Sequence, residues 1–186
     1  MWYVIQVKTG EENGIARKLK NQAIRAEVPI ENRPIRSGGA WTKKEYILFP
    51  GYVFLDMDFT ARNYYRVKEV PGVIRFLGDS KAPSTLSYLE AEWIRILSGS
   101  GEPLEPTLVR EDGSGGITVI SGVLKQLENR VLKWDKRSRK ATFEITICGE
   151  ARQVQLGIEV ESGGELQEVG SDASQDAAQP LLQDAT

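Results

Sequence analysis

The chain has 186 residues, of which 40% are hydrophobic and 27% are charged, and its net charge is −2. This composition is typical of a cytoplasmic globular protein with one sizeable core or two small ones. No run reaches the roughly 18 apolar residues of a membrane-spanning helix, and the first residues lack a signal-peptide pattern. A single cysteine, Cys148, excludes an internal disulfide, and the lack of histidine excludes imidazole metal sites and Ser-His or Cys-His nucleophiles. We therefore expect no enzyme activity, metal, cofactor or membrane partner.

Charge is distributed unevenly along the chain. Residues 1–97 carry 15 basic and 11 acidic side chains, and residues 117–160 carry 8 and 5. Residues 98–116 carry 1 basic and 4 acidic side chains, and residues 161–186 carry no basic and 6 acidic side chains. Two mildly basic blocks, separated by an acidic segment and followed by an acidic tail, indicate contact with a partner. They do not predict strong non-specific binding to nucleic acid.

The first 97 residues alternate between strand and helix patterns. The predicted elements are a strand over 2–7, a helix over 11–26, an extended edge segment over 27–35, a strand over 46–57, a helix over 60–70, a strand over 73–77 and a last helix opened by a capping box at Ser87. Residues 37–39, Ser-Gly-Gly, predict a long and mobile loop. The order βαββαβα predicts an α+β domain, a sheet with helices packed on it.

The remaining residues divide into three segments. Residues 98–116 are rich in Gly, Ser and Pro and lack apolar periodicity, so we expect a flexible linker. Residues 117–160 contain four short alternating runs without a helix signal, which predict a small β-barrel. The predicted strands cover 117–119, 130–134, 141–147 and 152–156. Residues 161–186 lack aromatic side chains and are predicted to be a disordered acidic tail.

Two aromatic clusters lie in predicted strands. Trp2 and Tyr3 open the first strand, and Phe49-Pro50-Gly51-Tyr52 follows about 45 residues later. Both clusters can meet on one sheet and form an apolar docking patch. Neighbouring strand residues face opposite sides, so we expect one of Trp2 and Tyr3 to be buried and the other to lie at the surface. For Phe49, core packing and partner contact both remain open.

The order of these motifs resembles the NusG family of transcription elongation factors. A WY strand, a helix, the FPGY segment and residues 70–73, Val-Pro-Gly-Val, resemble its N-terminal domain, and residues 117–124 with Val131 resemble its C-terminal KOW motif. The resemblance covers residues 1 to about 160 and implies an SH3-like C-terminal barrel. It also implies that the N-terminal domain binds the clamp helices of RNA polymerase, closes the cleft over nucleic acid and alters pausing and termination.

The KOW segment departs from the usual family pattern at one turn and at two later glycines, which read Gln126 and Asn129 here. The family's Gly-Pro-Phe reads Gly122-Val123-Leu124 here, which puts the ribosomal protein and the Rho terminator in doubt as partners. Leu124-Lys125 and residues 134–141 look instead like the barrel of specialised antiterminator paralogs of the LoaP type. That resemblance implies action on selected operons and recruitment by an RNA hairpin.

Two sets of site residues follow. The family resemblance assigns polymerase binding to the aromatic clusters and to the start of the second helix: Trp2, Tyr3, Phe49, Pro50, Tyr52, Asn63, Tyr64 and Tyr65. Clustered cations interleaved with tryptophan indicate either a solvated hairpin or contact with RNA phosphates. The RNA-binding candidates are Arg36, Trp41, Lys43, Lys44, Lys125, Lys133, Trp134, Lys136, Arg137, Arg139 and Lys140.

Three functions remain open from the sequence. The first is a specialised elongation and antitermination factor recruited by an RNA hairpin. The second is a housekeeping family member that couples polymerase to Rho and the ribosome. The third is a non-transcriptional, ribosome-associated RNA-binding protein, which the FPGY segment disfavours. In each case we expect a monomer.

Overall fold

The computed structural model describes residues 1–78 and 82–161. In the N-terminal half the elements are β1 Trp2–Val7, α1 Glu12–Lys20, β2 Arg25–Glu27, β3 Ile30–Ser37, β4 Ala40–Ile47, β5 Tyr52–Asp56, α2 Ala61–Lys68, β6 Val73–Phe76 and α3 Tyr88–Leu97. In the C-terminal half they are β7 Thr107–Glu111, β8 Ile117–Ser121, two short 3-10 turns over Val123–Gln126 and Glu128–Arg130, β9 Val131–Asp135, β10 Lys140–Ile147 and β11 Glu150–Val160. We call residues 1–97 the N-terminal domain and residues 107–161 the C-terminal domain.

The N-terminal domain is built on a four-stranded sheet with the order β2-β5-β1-β6. Strand β1 pairs antiparallel with both β5 and β6. Helix α2 begins where predicted, with the Thr60 hydroxyl accepting a hydrogen bond from the Asn63 N–H at 3.1 Å. The Ser87 capping box that opens α3 is also confirmed. Helix α1 ends at Lys20, six residues before the predicted end.

A separate two-stranded hairpin, β3 with β4, was not predicted. Gly38 and Gly39 both have positive φ and form the tight turn that joins the two strands. The predicted long loop at residues 37–39 is therefore wrong. The predicted strand over 46–57 is also interrupted, because Phe49 to Tyr52 forms a turn closed by the Tyr52 N–H to Phe49 carbonyl bond. Gly51 supplies the positive φ that this turn requires.

The C-terminal domain is a five-stranded sheet with the order β8-β7-β11-β10-β9. Strand β7 lies inside the segment predicted to be a linker and pairs parallel with β11 and antiparallel with β8. The connecting segment is therefore shorter, residues 98–106, and Leu104 in it bridges to Glu31 of the hairpin. The α+β fold class is confirmed. Of the predicted acidic tail, residues 162–186 lie outside the described residues.

Two hydrophobic cores flank the N-terminal sheet. One face packs on α1 and α2, with Ile15, Leu19 and Val67 fully buried. The other face packs on α3 and on the C-terminal domain, so a single apolar cluster runs from Trp2 and Phe54 into the interior of the C-terminal sheet. Within residues 1–78 and 82–161, none of the helices has the length and apolar character needed to cross a membrane.

Candidate functional site

One face of the N-terminal sheet carries three of the six predicted docking aromatics, Trp2, Phe49 and Tyr52. Val4 lies directly opposite Phe54 in the β1–β5 register, and Trp2 lies two residues from Val4 on the same face. Phe49 packs edge-to-face on Phe54, with 5.2 Å between ring centroids. The half-buried Tyr52 completes the cluster, so we call Trp2, Phe49, Tyr52 and Phe54 the docking face.

A buried carboxylate that the sequence did not reveal holds the FPGY turn in place. One oxygen of Glu12 accepts the Gly51 N–H at 2.7 Å and the other accepts the Gly10 N–H at 2.8 Å. Glu12 is almost completely buried at the start of α1. Because a buried carboxylate is stable only when its acceptor sites are filled, this residue ties the turn to the helix. Its place among ordinary surface acids in the sequence gave no signal of this role.

The C-terminal domain covers the Phe49 and Tyr52 end of the docking face. Ile147 and Arg152 line a gap of about 10 Å³ together with Phe49 and Tyr52, which is at most the size needed to hold one water. The Arg152 guanidinium lies 5.2 Å from the centroid of the Tyr52 ring. Phe49 is only 6% exposed as a result of this packing and its contact with Phe54.

Glu90 fixes the β10–β11 turn against the N-terminal domain. One oxygen accepts the Ser87 N–H in the capping box at 2.7 Å, and the other accepts the Gly149 N–H at 3.0 Å. Burial tends to raise the pKa of Glu90, but the hydrogen bonds from Gly149 and Ser87 outweigh it and leave the pKa lowered. The carboxylate that caps α3 therefore also holds the other domain. Cys148 lies beside it, and burial raises the pKa of its thiol, with Glu90 and Glu150 adding to the shift.

The remaining predicted polymerase-binding aromatics lie on the opposite face of the sheet. Tyr3 contacts Phe59 and Phe76, and the Tyr64 ring stacks on Phe76 at 5.3 Å between centroids. Tyr65 is 61% exposed. Trp2 and Tyr3 are each only 5% exposed, so the expectation that one of them lies at the surface is wrong. Both faces of this strand are covered, one by α1 and α2 and the other by α3 together with the C-terminal domain.

The β3–β4 hairpin lies along β11 of the C-terminal domain. The buried Glu31 carboxylate accepts the Gly157 N–H at 2.7 Å, and Arg33 donates to the Gln155 carbonyl at 2.9 Å. Burial raises the pKa of Glu31, although the bonds from Gly157 and Arg33 oppose the shift. A Cβ added at Gly157 would lie 2.6 Å from Cδ of Pro34, so only glycine permits this close approach.

Predicted RNA-binding residues of the β3–β4 hairpin and of the turn between β9 and β10 meet at the end of the β3–β4 hairpin. The Arg139 guanidinium lies 4.1 Å from the centroid of the Trp41 ring. Arg36 is the cross-strand partner of Trp41, and both are exposed. Lys43 lies on the same hairpin face and pairs with Glu105 at 2.8 Å and with Glu159 at 3.6 Å. Hydrogen bonding to Glu105 raises the pKa of Lys43. We call Arg36, Trp41, Lys43 and the turn residues 136–140 the seam.

Several RNA-binding candidates lie elsewhere. Lys44 faces the other side of the hairpin, beside Tyr46. Lys125 lies in the 3-10 turn after β8, and Lys133 lies on β9 opposite Thr142. Trp134 packs against the apolar core, so much of its ring is not free to stack on a base.

The turn that departs from the family pattern is closed around a buried leucine. Leu124 has no exposed surface, and its N–H donates to the Thr107 hydroxyl at 3.3 Å. Gly122 has a φ of 106°, and a Cβ there would lie 2.8 Å from Thr107. The side chain at the usual aromatic position therefore belongs to the core of the C-terminal domain.

Comparison with known proteins identifies the family. The family described as "Transcription termination factor nusG" matches residues 1–95, about half of the chain. The chain belongs to the NusG family. Transcription termination/antitermination protein NusG of Helicobacter pylori (strain J99) is 27% identical over 165 residues, covering 83% of this chain and 93% of that protein. The NusG protein of Pasteurella multocida is 28% identical over 167 residues, and the match covers 83% of this chain and 90% of that protein.

A solved structure shows the same fold. The structure titled "Domain interaction in Thermotoga maritima NusG" covers 84% of this chain and 93% of that chain, with a TM-score of 0.52 and 22% identity. The chain is thus a member of a family of transcription termination and antitermination factors, and the predicted family resemblance is confirmed. The individual site residues and the LoaP-type resemblance remain predictions.

Proposed function

We propose that the protein is a transcription elongation and antitermination factor that docks on the clamp helices of RNA polymerase through its docking face. The observation that carries this proposal is the aromatic cluster itself. Trp2, Phe49, Tyr52 and Phe54 form one apolar surface, and a second domain rather than the N-terminal domain's own helices covers the Phe49 and Tyr52 end of it. Large aromatics at the centre of such a face are the side chains that dominate binding energy at protein interfaces.

Docking then requires the C-terminal domain to move away. Apolar contacts around Phe49 and Ile147 are supplemented by polar ones, which are Arg152 on Tyr52, Glu90 with Gly149 and Glu31 with Gly157. The connecting segment, residues 98–106, is short, and Gly99 and Gly101 within it adopt positive φ. Interfaces between domains of one chain are commonly reversible, so the covered face is compatible with an inactive resting form.

RNA recruitment is the second part of the proposal. The seam brings the exposed Arg36 and Trp41 together with the half-buried Arg139, and the exposed Arg137 lies in the same turn as Arg139. Within the described part of the chain these three arginines form no ion pairs with carboxylates, so their charges are available to phosphate. Phosphate contacts of this kind, with an aromatic plane beside them, suit an RNA hairpin.

Specialisation rather than a housekeeping role is supported by Leu124. In the housekeeping members an aromatic side chain at this turn contacts the ribosomal protein and Rho, according to the resemblance described above. Here the corresponding side chain is apolar, aliphatic and fully buried. The C-terminal domain therefore lacks the exposed ring on which those partners would depend.

A transcription assay tests the proposal. Purified protein is added to RNA polymerase on a template that carries a terminator downstream of a leader encoding an RNA hairpin. We expect increased read-through with that leader and less with a scrambled leader. Equal stimulation of termination by Rho on both templates would contradict the proposal and favour a housekeeping factor.

A further inference from the structure

The C-terminal domain contacts the N-terminal domain at both ends of strand β10, as well as along β11 at Gly157. The β10–β11 turn and Arg152 lie over the docking face, with Gly149 bonded to Glu90. The β9–β10 turn lies at the opposite ends of the same strands and contacts the hairpin through Arg139 on Trp41. Because β10 is a continuous strand between these turns, the two contacts belong to one packed body.

The β3–β4 hairpin packs along β11, but its base is tied to the N-terminal sheet two residues after β2 and four residues before β5, where the Leu48 N–H donates to the Pro29 carbonyl at 2.9 Å. We infer that the hairpin stays with the N-terminal sheet, so a movement that clears the docking face also separates Arg139 from Trp41.

The seam therefore exists only while the domains are docked. Its hairpin half contributes Arg36, Trp41 and Lys43, and its other half contributes the turn residues 136–140. Arg139 has a φ of 52°, an uncommon conformation for a residue other than glycine, and in it the guanidinium stacks on the indole. The buried Glu31 and the close approach of Pro34 to Gly157 hold the hairpin in register with β11.

Opposing charges around the seam do not remove its basic character. Lys43 is paired with Glu105 and Glu159, and Lys136 is paired with Glu111. Arg36, Arg137, Arg139 and Lys140 have no carboxylate partner within ion-pair distance in residues 1–78 and 82–161. A polyanion that bridges the seam would contact cations of both domains at once.

We propose that the docked arrangement of the two domains is the form that binds the RNA hairpin, so that RNA binding and polymerase docking oppose each other. This inference rests on the proposed function. The protein first binds the RNA hairpin in the closed form. The clamp helices then displace the C-terminal domain, which separates the two halves of the seam. Docking thereby releases the RNA, so that polymerase carries the factor forward without keeping the leader attached.

The expected size of the effect follows from linkage. A ligand that needs the closed form and one that needs the open form must weaken each other by the same factor, and couplings between sites are typically about 5-fold to 150-fold. In the open form, the cations are divided between two bodies joined by a short segment. Each body alone then neutralises fewer phosphates, and its RNA affinity should fall less steeply with salt.

A competition experiment on the full chain tests this. A labelled RNA hairpin with a fully paired stem is titrated with the protein, alone and with a saturating polymerase fragment that contains the clamp helices. We expect the dissociation constant for RNA to rise by at least about fivefold with the fragment, and saturating RNA to weaken fragment binding by the same factor. An unchanged or lower dissociation constant in the ternary mixture would overturn the inference.

A glycine variant gives an independent test. Gly157→Ala places a methyl group against Pro34 and leaves every seam cation and docking aromatic in place. It should weaken RNA binding and strengthen fragment binding together. Gly113→Ala is the matched control, because a Cβ there meets nothing within 4 Å. If a thermal melt shows that Gly157→Ala is unfolded, the competition between RNA and the clamp-helix fragment on the unmodified chain is the test of this inference.

The two proposals fail differently. If the unmodified chain binds no RNA hairpin, both the RNA part of the proposed function and this inference are wrong. If it binds RNA and the clamp-helix fragment at the same time without interference, the proposed function stands and only this inference is overturned.

Discussion

The guanidinium of Arg152 in the C-terminal domain lies 5.2 Å from the ring centroid of Tyr52 in the N-terminal domain. This contact joins the covering domain to the surface that we propose for polymerase docking. A cation above an aromatic ring contributes about 0.5–2 kcal/mol, with the larger values in desolvated places. We propose that Tyr52 has two alternative partners, Arg152 in the closed form and the clamp helices in the bound form.

Arg152→Ala should increase polymerase affinity. Losing about 1 kcal/mol from the closed form raises the population of the open form, and with it the apparent affinity, by about fivefold. Isothermal titration with a clamp-helix fragment measures the change. Arg17→Ala is the matched control, since Arg17 is exposed on α1 and away from this interface. Equal affinity of Arg152→Ala and unmodified protein would show that this contact does not limit docking.

Tyr52→Ala should decrease polymerase affinity although it also loosens the closed form. Loss of an aromatic anchor at an interface centre costs about 2 kcal/mol or more, which exceeds the gain from removing the partner of Arg152. Phe49→Ala is expected to behave differently, because Phe49 is buried against Phe54 and its loss costs about 3–5 kcal/mol of folding stability. Fragment binding and thermal melts of each single variant separate the two effects. Tight binding by folded Tyr52→Ala would refute the proposed docking face.

Restoring an aromatic side chain at Leu124 should not restore Rho binding. Leu124 is fully buried, so Leu124→Phe adds volume to a packed core and should destabilise the C-terminal domain by about 1–3 kcal/mol. Leu124→Ala should destabilise it by about 2–5 kcal/mol through the cavity it leaves. Denaturant unfolding and a titration with Rho check both variants. Strong Rho binding by unmodified protein would contradict the proposed specialisation.

The contribution of Glu31 to domain closure should grow as the pH falls towards the ordinary glutamate range, whereas Glu90, whose pKa is lowered at the same interface, contributes in the opposite direction. The pKa of Glu31 is raised, mainly by burial, in the closed form, where it contacts Gly157. A raised pKa means that the closed form takes up the proton more readily than the open form. The stabilisation of the closed form by protonation of Glu31 is fully present below the ordinary pKa of 4.5, and it is lost as the pH rises through the raised pKa of Glu31.

Glu31→Gln should remove this part of the pH dependence. Glutamine keeps an acceptor oxygen for the Gly157 N–H but does not titrate. Distance measurements between labels on the two domains, taken from pH 4.5 upwards, provide the readout. The same slope in Glu31→Gln and unmodified protein would assign the pH dependence to other groups.

The sequence predicted the elements whose signals are local. The strand at residues 2–7, the Thr60 cap and the Ser87 capping box depend on nearby residues and agree with the structure. Strand β4 was missed because its residues are exposed on both faces and mostly polar, so period-2 alternation is absent. The short strand β7 was hidden within an acidic, glycine-rich segment.

The candidate site was only partly predictable for a different reason. The aromatic clusters could be identified in the sequence, but whether Trp2 and Tyr3 are exposed depends on what packs against each face of the sheet. The contact of Arg139 with Trp41 joins residues 98 positions apart and arises only from the docking of two domains. The role of Glu12 likewise depends on a turn 39 residues away. Such relationships carry no local pattern.

The reactivity of Cys148 most directly tests whether the C-terminal domain covers the docking face and leaves it on polymerase binding. Cys148 is the only cysteine in the sequence, and it is half-buried beside Glu90 at the contact between the domains. Release of the domain removes both the burial and the Glu90 charge that raise its pKa, so the thiolate fraction at neutral pH increases. Alkylation of Cys148 is followed by mass spectrometry in the full chain, with and without the clamp-helix fragment. We expect a faster rate with the fragment, and an unchanged or slower rate would contradict displacement of the C-terminal domain.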